Sequence, residues 1–147
     1  MRIMITGGAG FIGSNITAAL LKKKHKVRIL DNFSTGRPQN LAHIKGNPNL
    51  IVKESDVGDF EAIKECFKGI DWVFHMAALA DIVPSITNPL EYHRSNVDGT
   101  FSALEASRMS GVKRFVYTAS SSCYGLPEVI PTPQDSPIKP EYPYALT

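Results

Sequence analysis

The chain has 147 residues, one domain's worth of sequence and enough to bury a core. Hydrophobic residues make up 43% and charged residues 20%, and the formal net charge of +2 is too small to point to nucleic acid or an anionic membrane surface. No apolar run approaches the ~20 residues of a membrane helix, and Cys66 and Cys123 are too few and too far apart for a disulfide framework or a zinc site. A cytoplasmic domain is expected, with an N-terminus that enters a strand at once and leaves no room for a signal peptide.

The first strand is Arg2-Ile3-Met4-Ile5-Thr6. It runs into Thr6-Gly7-Gly8-Ala9-Gly10-Phe11-Ile12-Gly13, and helical spacing follows from Phe11 to Lys24. The loop satisfies two spacings: Gly8, Gly10 and Gly13 give GxGxxG, and Gly7, Gly10 and Gly13 give GxxGxxG. A strand turning through glycines into a helix suits a diphosphate. The backbone approaches closely where no Cβ intervenes, and the free N–H groups and dipole of the helix start face the negative charge. The basic run Lys22-Lys23-Lys24-His25-Lys26 then falls at the helix C-terminus, where it complements the dipole and stays in water.

A second strand, Val27 to Asp31, ends on an acid 18 residues after Gly13. A carboxylate at that tip accepts hydrogen bonds from the adenosine ribose hydroxyls and repels a 2′-phosphate, which favours NAD over NADP. Arg37 argues the other way, but a loop arginine reads first as a solvated charge. Further along, Leu50 to Lys53 is a third strand, Asp59 to Phe67 a helix, and Trp72 to Met76 a fourth strand. Pro89 to Ser110 reads as one long helix with Leu90, Val97, Phe101, Leu104 and Ala106 among its apolar residues, and Arg114 to Thr118 as a fifth strand. A proline-rich loop spans Leu126 to Pro143, and a new helix is expected around Tyr144. Alternating strands and helices give an α/β fold with a doubly wound parallel sheet, a Rossmann fold. Its ligands belong at the carboxyl ends of the strands. The glycine loop, Asp31, Asp56, the residues after Met76 and those after Thr118 all fall at such ends. Residues 1–147 are read as one NAD-binding domain.

The motifs Thr6 to Gly13, Leu30-Asp31-Asn32, Asp56-Val57, His75-Met76-Ala77-Ala78, Asn96-Val97-Asp98-Gly99-Thr100, Ser120 to Gly125 and Pro143-Tyr144-Ala145-Leu146-Thr147 stand in order along the whole chain. In these the sequence resembles the extended short-chain dehydrogenase/reductases, in the nucleotide-sugar epimerase and dehydratase branch, and most of all its UDP-glucose 4-epimerases. The resemblance implies a catalytic Ser120 and Tyr144, a Lys four residues after the tyrosine, further strands beyond strand five and a C-terminal segment that holds the nucleotide sugar. The Rossmann fold is thus expected to be truncated after strand five and the domain incomplete. The Lys position falls just after Thr147, so the 147-residue chain alone is expected to have little or no turnover.

The implied reaction is transient oxidation at sugar C4. Tyr144 takes the 4-hydroxyl proton while hydride passes to NAD, and Ser120 holds the 4-oxygen in line. A free phenol titrates near pH ~10, so nearby positive charge is needed for it to act as a base at neutral pH. Dehydratases and decarboxylases of the branch carry carboxyl groups where this chain has Ser121 and Ser122, which favours an epimerase. Ala80 stands where the best-known epimerases often have Lys, leaving relatives that act on N-acetylated or uronic sugars in play. For the cofactor, the resemblance implies backbone contacts from Gly7, Gly10, Phe11, Ile12 and Gly13. It places the adenosine ribose by Asp31, Asn32, Phe33, Ser34, Thr35 and Gly36, and adenine by Asp56 and Val57. Ala77, Ala78, Ala80 and Ser95 would line the rest. Asn96 and His75 are read as structural, Tyr117 and Tyr124 as core residues, and Ser85 as a turn residue that could approach the sugar nucleotide. UDP-sugar is the expected substrate, with Trp72 as a fluorescence reporter, and a homodimer through long helices is expected of the complete protein. The other reading left open is an NAD-binding regulatory or inactive fragment.

Overall fold

The computed structural model describes residues 1–147. Five strands, β1 (Arg2–Thr6), β2 (Lys26–Asp31), β3 (Leu50–Glu54), β4 (Trp72–His75) and β5 (Arg114–Tyr117), form one all-parallel sheet in the order β3-β2-β1-β4-β5. The doubly wound architecture is as expected, and each strand falls within one residue of its expected bounds. The central strand explains why: Ile3, Met4 and Ile5 are wholly buried, as a parallel strand covered on both faces must be.

The apolar residues of the sheet alternate between two cores. On one face Met4, Leu30 and Val73 pack with Ile63, Phe67, Ala103 and Ala106. On the other, Ile3, Ile5 and Val27 pack with Leu21 of α1 (Phe11–Lys22). Helix α1 stops two residues short of the expected Lys24, because Lys24 takes a left-handed φ of 62° that turns the chain into β2. The expected helix from Asp59 is tighter than read. Asp59 caps it by accepting from the Ala62 N–H at 3.1 Å, but only α2 (Phe60–Ile63) is α-helical, and Lys64–Phe67 is a 3₁₀ turn.

The expected helix from Pro89 to Ser110 is three segments: α4 (Pro89–Tyr92), a π-helical stretch over His93–Asp98, and α5 (Gly99–Met109). Its inward face is made of small residues, namely Gly99, Ser102, Ala103, Ala106 and Ser107, so α5 lies close on the sheet. Its large apolar residues point outward: Leu90 is 85% exposed and Phe101 71%. Three elements were not expected: a 3₁₀ helix over Pro38–Ile44, helix α3 (Ile82–Thr87) and a 3₁₀ turn over Ser121–Tyr124. The loop after Gly125 carries no helix or strand until α6 (Pro143–Leu146), which bears Tyr144.

Tyr117 is not the core residue expected. It ends an edge strand, its side chain is half exposed, and its ring stacks on His75 at 6.2 Å between centroids. Tyr124 is half-buried, with its hydroxyl donating to the Gln134 carbonyl at 3.2 Å.

Candidate active site

The order of strands reverses beside β1, which pairs β2 on one side and β4 on the other. A crevice must open there at the carboxyl ends, and it does. Gly7, Gly10, Asp31, Asn32, Ser34, Thr35, Gly36, Val57, Ala77, Ala78 and Ser95 line a cleft over the ends of β1, β2 and β4. Leu30, Ser55, Met76 and Leu79 line it too and are not among the expected contacts: the three apolar residues read as core, and Ser55 stands just before the Asp56-Val57 motif.

The glycines are required by space as well as by conformation. Gly7 has φ 67°, and a Cβ there would stand 2.6 Å from the Ala77 nitrogen. A side chain at Gly13 would drive into the Gly7 carbonyl oxygen and the Gly8 Cα. The Phe11, Ile12 and Gly13 N–H groups make no backbone hydrogen bond, as the first N–H groups of a helix do not, so the start of α1 keeps its donors free. The Phe11 side chain is exposed and takes no part in the cleft; its contribution is its backbone.

Asp31 is 7% exposed and does two jobs before any ligand arrives. Its Oδ2 accepts from the Ala9 N–H and its Oδ1 from the Phe33 N–H, both at 2.8 Å. Each carboxylate oxygen keeps a second lone pair. Asn32 Oδ1 accepts from both the Ser34 N–H and its hydroxyl, which shapes the turn. Phe33 departs from the expected role. At φ 57° its side chain is thrown back against Ala9, Ile29 and Leu41, leaving Asn32 and Ser34 to Gly36 on the cleft. Asp56 does not line the cleft, whereas Ser55 and Val57 do. Its carboxylate accepts from the Gly58 N–H at 2.8 Å and the Arg94 guanidinium at 2.9 Å.

A second cleft continues from the first across Met76, Ala77 and Ala78, which line both. Ile12, Ala80, Thr118, Ala119, Ser120, Cys123 and Tyr144 surround it. The two residues expected to carry the chemistry, 24 apart in sequence, thus share one wall system. Ser120 Oγ accepts from the Ser122 N–H at 3.2 Å, which leaves its own proton free to donate. The Tyr144 ring meets Tyr92 edge-on at 6.5 Å, and its backbone N–H donates to Ser85 Oγ at 3.1 Å. Ser85 therefore touches the tyrosine's backbone from a helix, wholly buried, and is no turn residue.

His75 is structural, as expected. Its Nδ1 lies 2.7 Å from Thr6 Oγ1 and its Nε2 3.0 Å from Thr100 Oγ1. Burial pushes the imidazole down to about 4, so it is neutral near pH 7. Asn96 braces the loop after β4, donating to the Leu79 carbonyl and accepting its N–H. The π-helical stretch makes this possible. Arg94, Ser95 and Asn96 are consecutive, yet all three reach the strand-end loops. Trp72 opens β4 at the opposite end of the sheet, under the Arg114 guanidinium at 4.9 Å, and so stands away from both clefts. It is no direct reporter of a ligand there.

Residues 3–147 match the NAD dependent epimerase/dehydratase family. The chain belongs to that family. The UDP-glucose 4-epimerase of Bacillus subtilis is 36% identical over all of this chain, which covers 44% of that protein. Two solved structures agree in fold. The UDP-N-acetylglucosamine 4-epimerase of Methanobrevibacter ruminantium superposes with a TM-score of 0.91 at 34% identity, over 99% of this chain and 46% of the other. The Bordetella bronchiseptica enzyme WbmG in complex with NAD gives 0.90 at 34%, over 99% and 46%. The chain spans about half the length of the curated relatives it matches. NAD is the cofactor of the epimerase/dehydratase family, and this chain's residues fit it: a glycine cradle that any Cβ would fill, free helix N–H groups, and a buried carboxylate with lone pairs to spare. No helix is long and apolar enough to cross a membrane.

Proposed function

We propose that this chain is the cofactor-binding half of a nucleotide-sugar 4-epimerase of the UDP-glucose/UDP-galactose type. The observation that carries the reading is the continuity of the two clefts: Met76, Ala77 and Ala78 line both, so a dinucleotide seated on the glycine loop would extend toward Ser120 and Tyr144. When bound, NAD supplies a hydride acceptor at sugar C4. Ser120, whose Oγ accepts the Ser122 N–H, would keep its proton and donate a hydrogen bond to the sugar 4-oxygen, holding it in line. The Tyr144 phenolate takes the hydroxyl proton and later returns it. Asp31 selects the unphosphorylated ribose. Ser121 and Ser122 offer no carboxyl acid for eliminating water, which supports epimerisation over dehydration or decarboxylation. Val57 is read as the adenine end, with Asp56 bracing its loop through the Gly58 N–H and Arg94. Ala80 and Ser95 are read as lining for the cofactor, and Phe11 and Ile12 as diphosphate donors.

The half-length reading also bears on assembly. Leu90, Val97, Phe101 and Leu104 form an exposed apolar stripe on the α4–α5 segment, suited to a twofold helix pairing, so a homodimer is the expected state of the complete protein. The free thiols of Cys66 and Cys123 suit a reducing, cytoplasmic setting.

The test is an epimerase assay over a panel of UDP-sugars, made with the longest natural polypeptide that carries this sequence. UDP-galactose and UDP-glucose should interconvert, and Tyr144→Phe should lower kcat by about 10²- to 10⁴-fold with NAD still bound. Turnover that survives that substitution, or a product that has lost water, would overturn the reading. A polypeptide confined to residues 1–147 is expected to bind NAD with little or no turnover.

A further inference from the structure

The Ser85 side chain is wholly buried, and its hydroxyl both donates and accepts. It donates to the Ile82 carbonyl at 2.6 Å and accepts the Tyr144 N–H at 3.1 Å, across 59 residues. Tyr144 sits in the first turn of helix α6. Pro143, just inside its start, has no N–H, so Tyr144 brings the first donor of that turn. That donor would be orphaned without Ser85. The Tyr144 carbonyl accepts from the Thr147 N–H and hydroxyl, both at 3.2 Å, and its ring meets Tyr92 edge-on, but the only partner of its N–H is Ser85. Ser85 does not line either cleft, so it has no route to touch cofactor or sugar.

We propose that Ser85 is a positioning residue for Tyr144. By tying the first free N–H of α6 to α3, it fixes where the phenol sits in the cleft and so sets the rate of proton transfer without contributing to binding. The proposal rests on Tyr144 being the base. Alignment of a reacting group is where a displacement of ~1 Å costs most, up to about a hundredfold in rate. A cleft that binds through other residues would keep its affinity.

The experiment compares Ser85→Ala and Tyr144→Phe with the wild type, in the longest natural polypeptide that carries this sequence, well below the melting temperature of each. Ser85→Ala should lower kcat by roughly ten- to a hundredfold, leaving KM for the UDP-sugar and NAD affinity unchanged. A lower melting temperature with unaltered kcat would overturn the proposal and leave a purely structural serine. A fall in kcat matched by a rise in KM would overturn it too. Full activity in Tyr144→Phe would instead remove the underlying reading, which the Ser85 variant alone could not do. If Ser85→Ala fails to fold, amide hydrogen exchange on the wild type decides. The Tyr144 amide, a first-turn donor with no partner inside its own helix, should be protected, and exchange at the rate of an unstructured amide would overturn the proposal.

Discussion

The Asp31 carboxylate holds the Ala9 N–H at 2.8 Å, 22 residues back along the chain. The acid proposed to read the ribose is therefore also the strut of the glycine loop proposed to hold the diphosphate. Its other oxygen takes the Phe33 N–H, so one side chain sets both turns that border the cofactor. Asp31→Asn keeps the size but offers a single oxygen, and its amide group would point a donor at one of the two N–H groups. An unsatisfied buried N–H costs ~1–3 kcal/mol, so a lowered melting temperature is expected. NAD affinity should fall at least about tenfold, ~1.4 kcal/mol, measured by calorimetric titration. Unchanged affinity would mean that the carboxylate faces the loop alone.

The glycines separate space from conformation. Gly7 and Gly111 both have positive φ, 67° and 68°. A Cβ at Gly7 meets the Ala77 backbone at 2.6 Å, whereas at Gly111 it meets nothing within 4 Å. Gly111→Ala should cost only the left-handed backbone, ~1–2 kcal/mol. Gly7→Ala should cost clearly more, because β1 and the loop after β4 must part, and NAD binding should be lost with it. Denaturant unfolding of both variants checks this, and equal losses would refute the steric account.

His75 gives the fold a built-in acid sensitivity. Burial lowers its folded value to about 4 from an ordinary 6.5, so the native state holds it neutral. Below 6.5 the unfolded chain takes up a proton that the folded chain refuses. The stability present above 6.5 is lost as pH falls toward 4, at up to ~1.4 kcal/mol per pH unit. Melting temperatures measured between pH 7 and 4 should fall, and His75→Gln should flatten that part of the curve even if it lowers stability throughout. A wild-type curve with no slope between pH 6.5 and 4 would show that the imidazole is not held neutral.

The sheet was readable because strands such as Ile3-Met4-Ile5 must be apolar on both faces and are cut off by glycine or aspartate. The cofactor side followed from it, since the glycine loop and Asp31 are local signals at strand ends. What escaped reading has no period to see. Helix α3 opens Ile82-Val83-Pro84, a β-branched and proline start that resembles loop, yet proline is tolerated in the first turn, where no N–H is needed. The π-helical stretch over His93–Asp98 leaves the apolar spacing intact while turning Arg94, Ser95 and Asn96 together toward the strand-end loops. Tyr117 lies half exposed with its ring stacked on His75, a cross-strand contact that the residue's own strand pattern does not show. Ser85 was placed in a loop because its partner, the Tyr144 N–H, lies 59 residues away.

The outward face of α5 yields the last prediction. Phe101 is 71% exposed and Leu104 45%, while the buried face of the same helix holds Gly99, Ser102, Ala103, Ala106 and Ser107. A helix that keeps its large apolar side chains in water and its small ones inside has its amphipathicity inverted for a lone domain. The inversion resolves if the outer face is covered. Valine and leucine on the same stripe, at 97 and 104, extend the patch one turn either side of Phe101. The longest natural polypeptide carrying this sequence should therefore run as a dimer in light scattering coupled to gel filtration. Phe101→Glu places a charge at the centre of the patch, where it must be desolvated on association, and should give a folded monomer that still binds NAD. The substitution sits on the far side of α5 from the sheet, so a loss of fold is not expected. A monomeric wild type, or a Phe101→Glu variant that still dimerises, would show that this stripe is not the subunit contact.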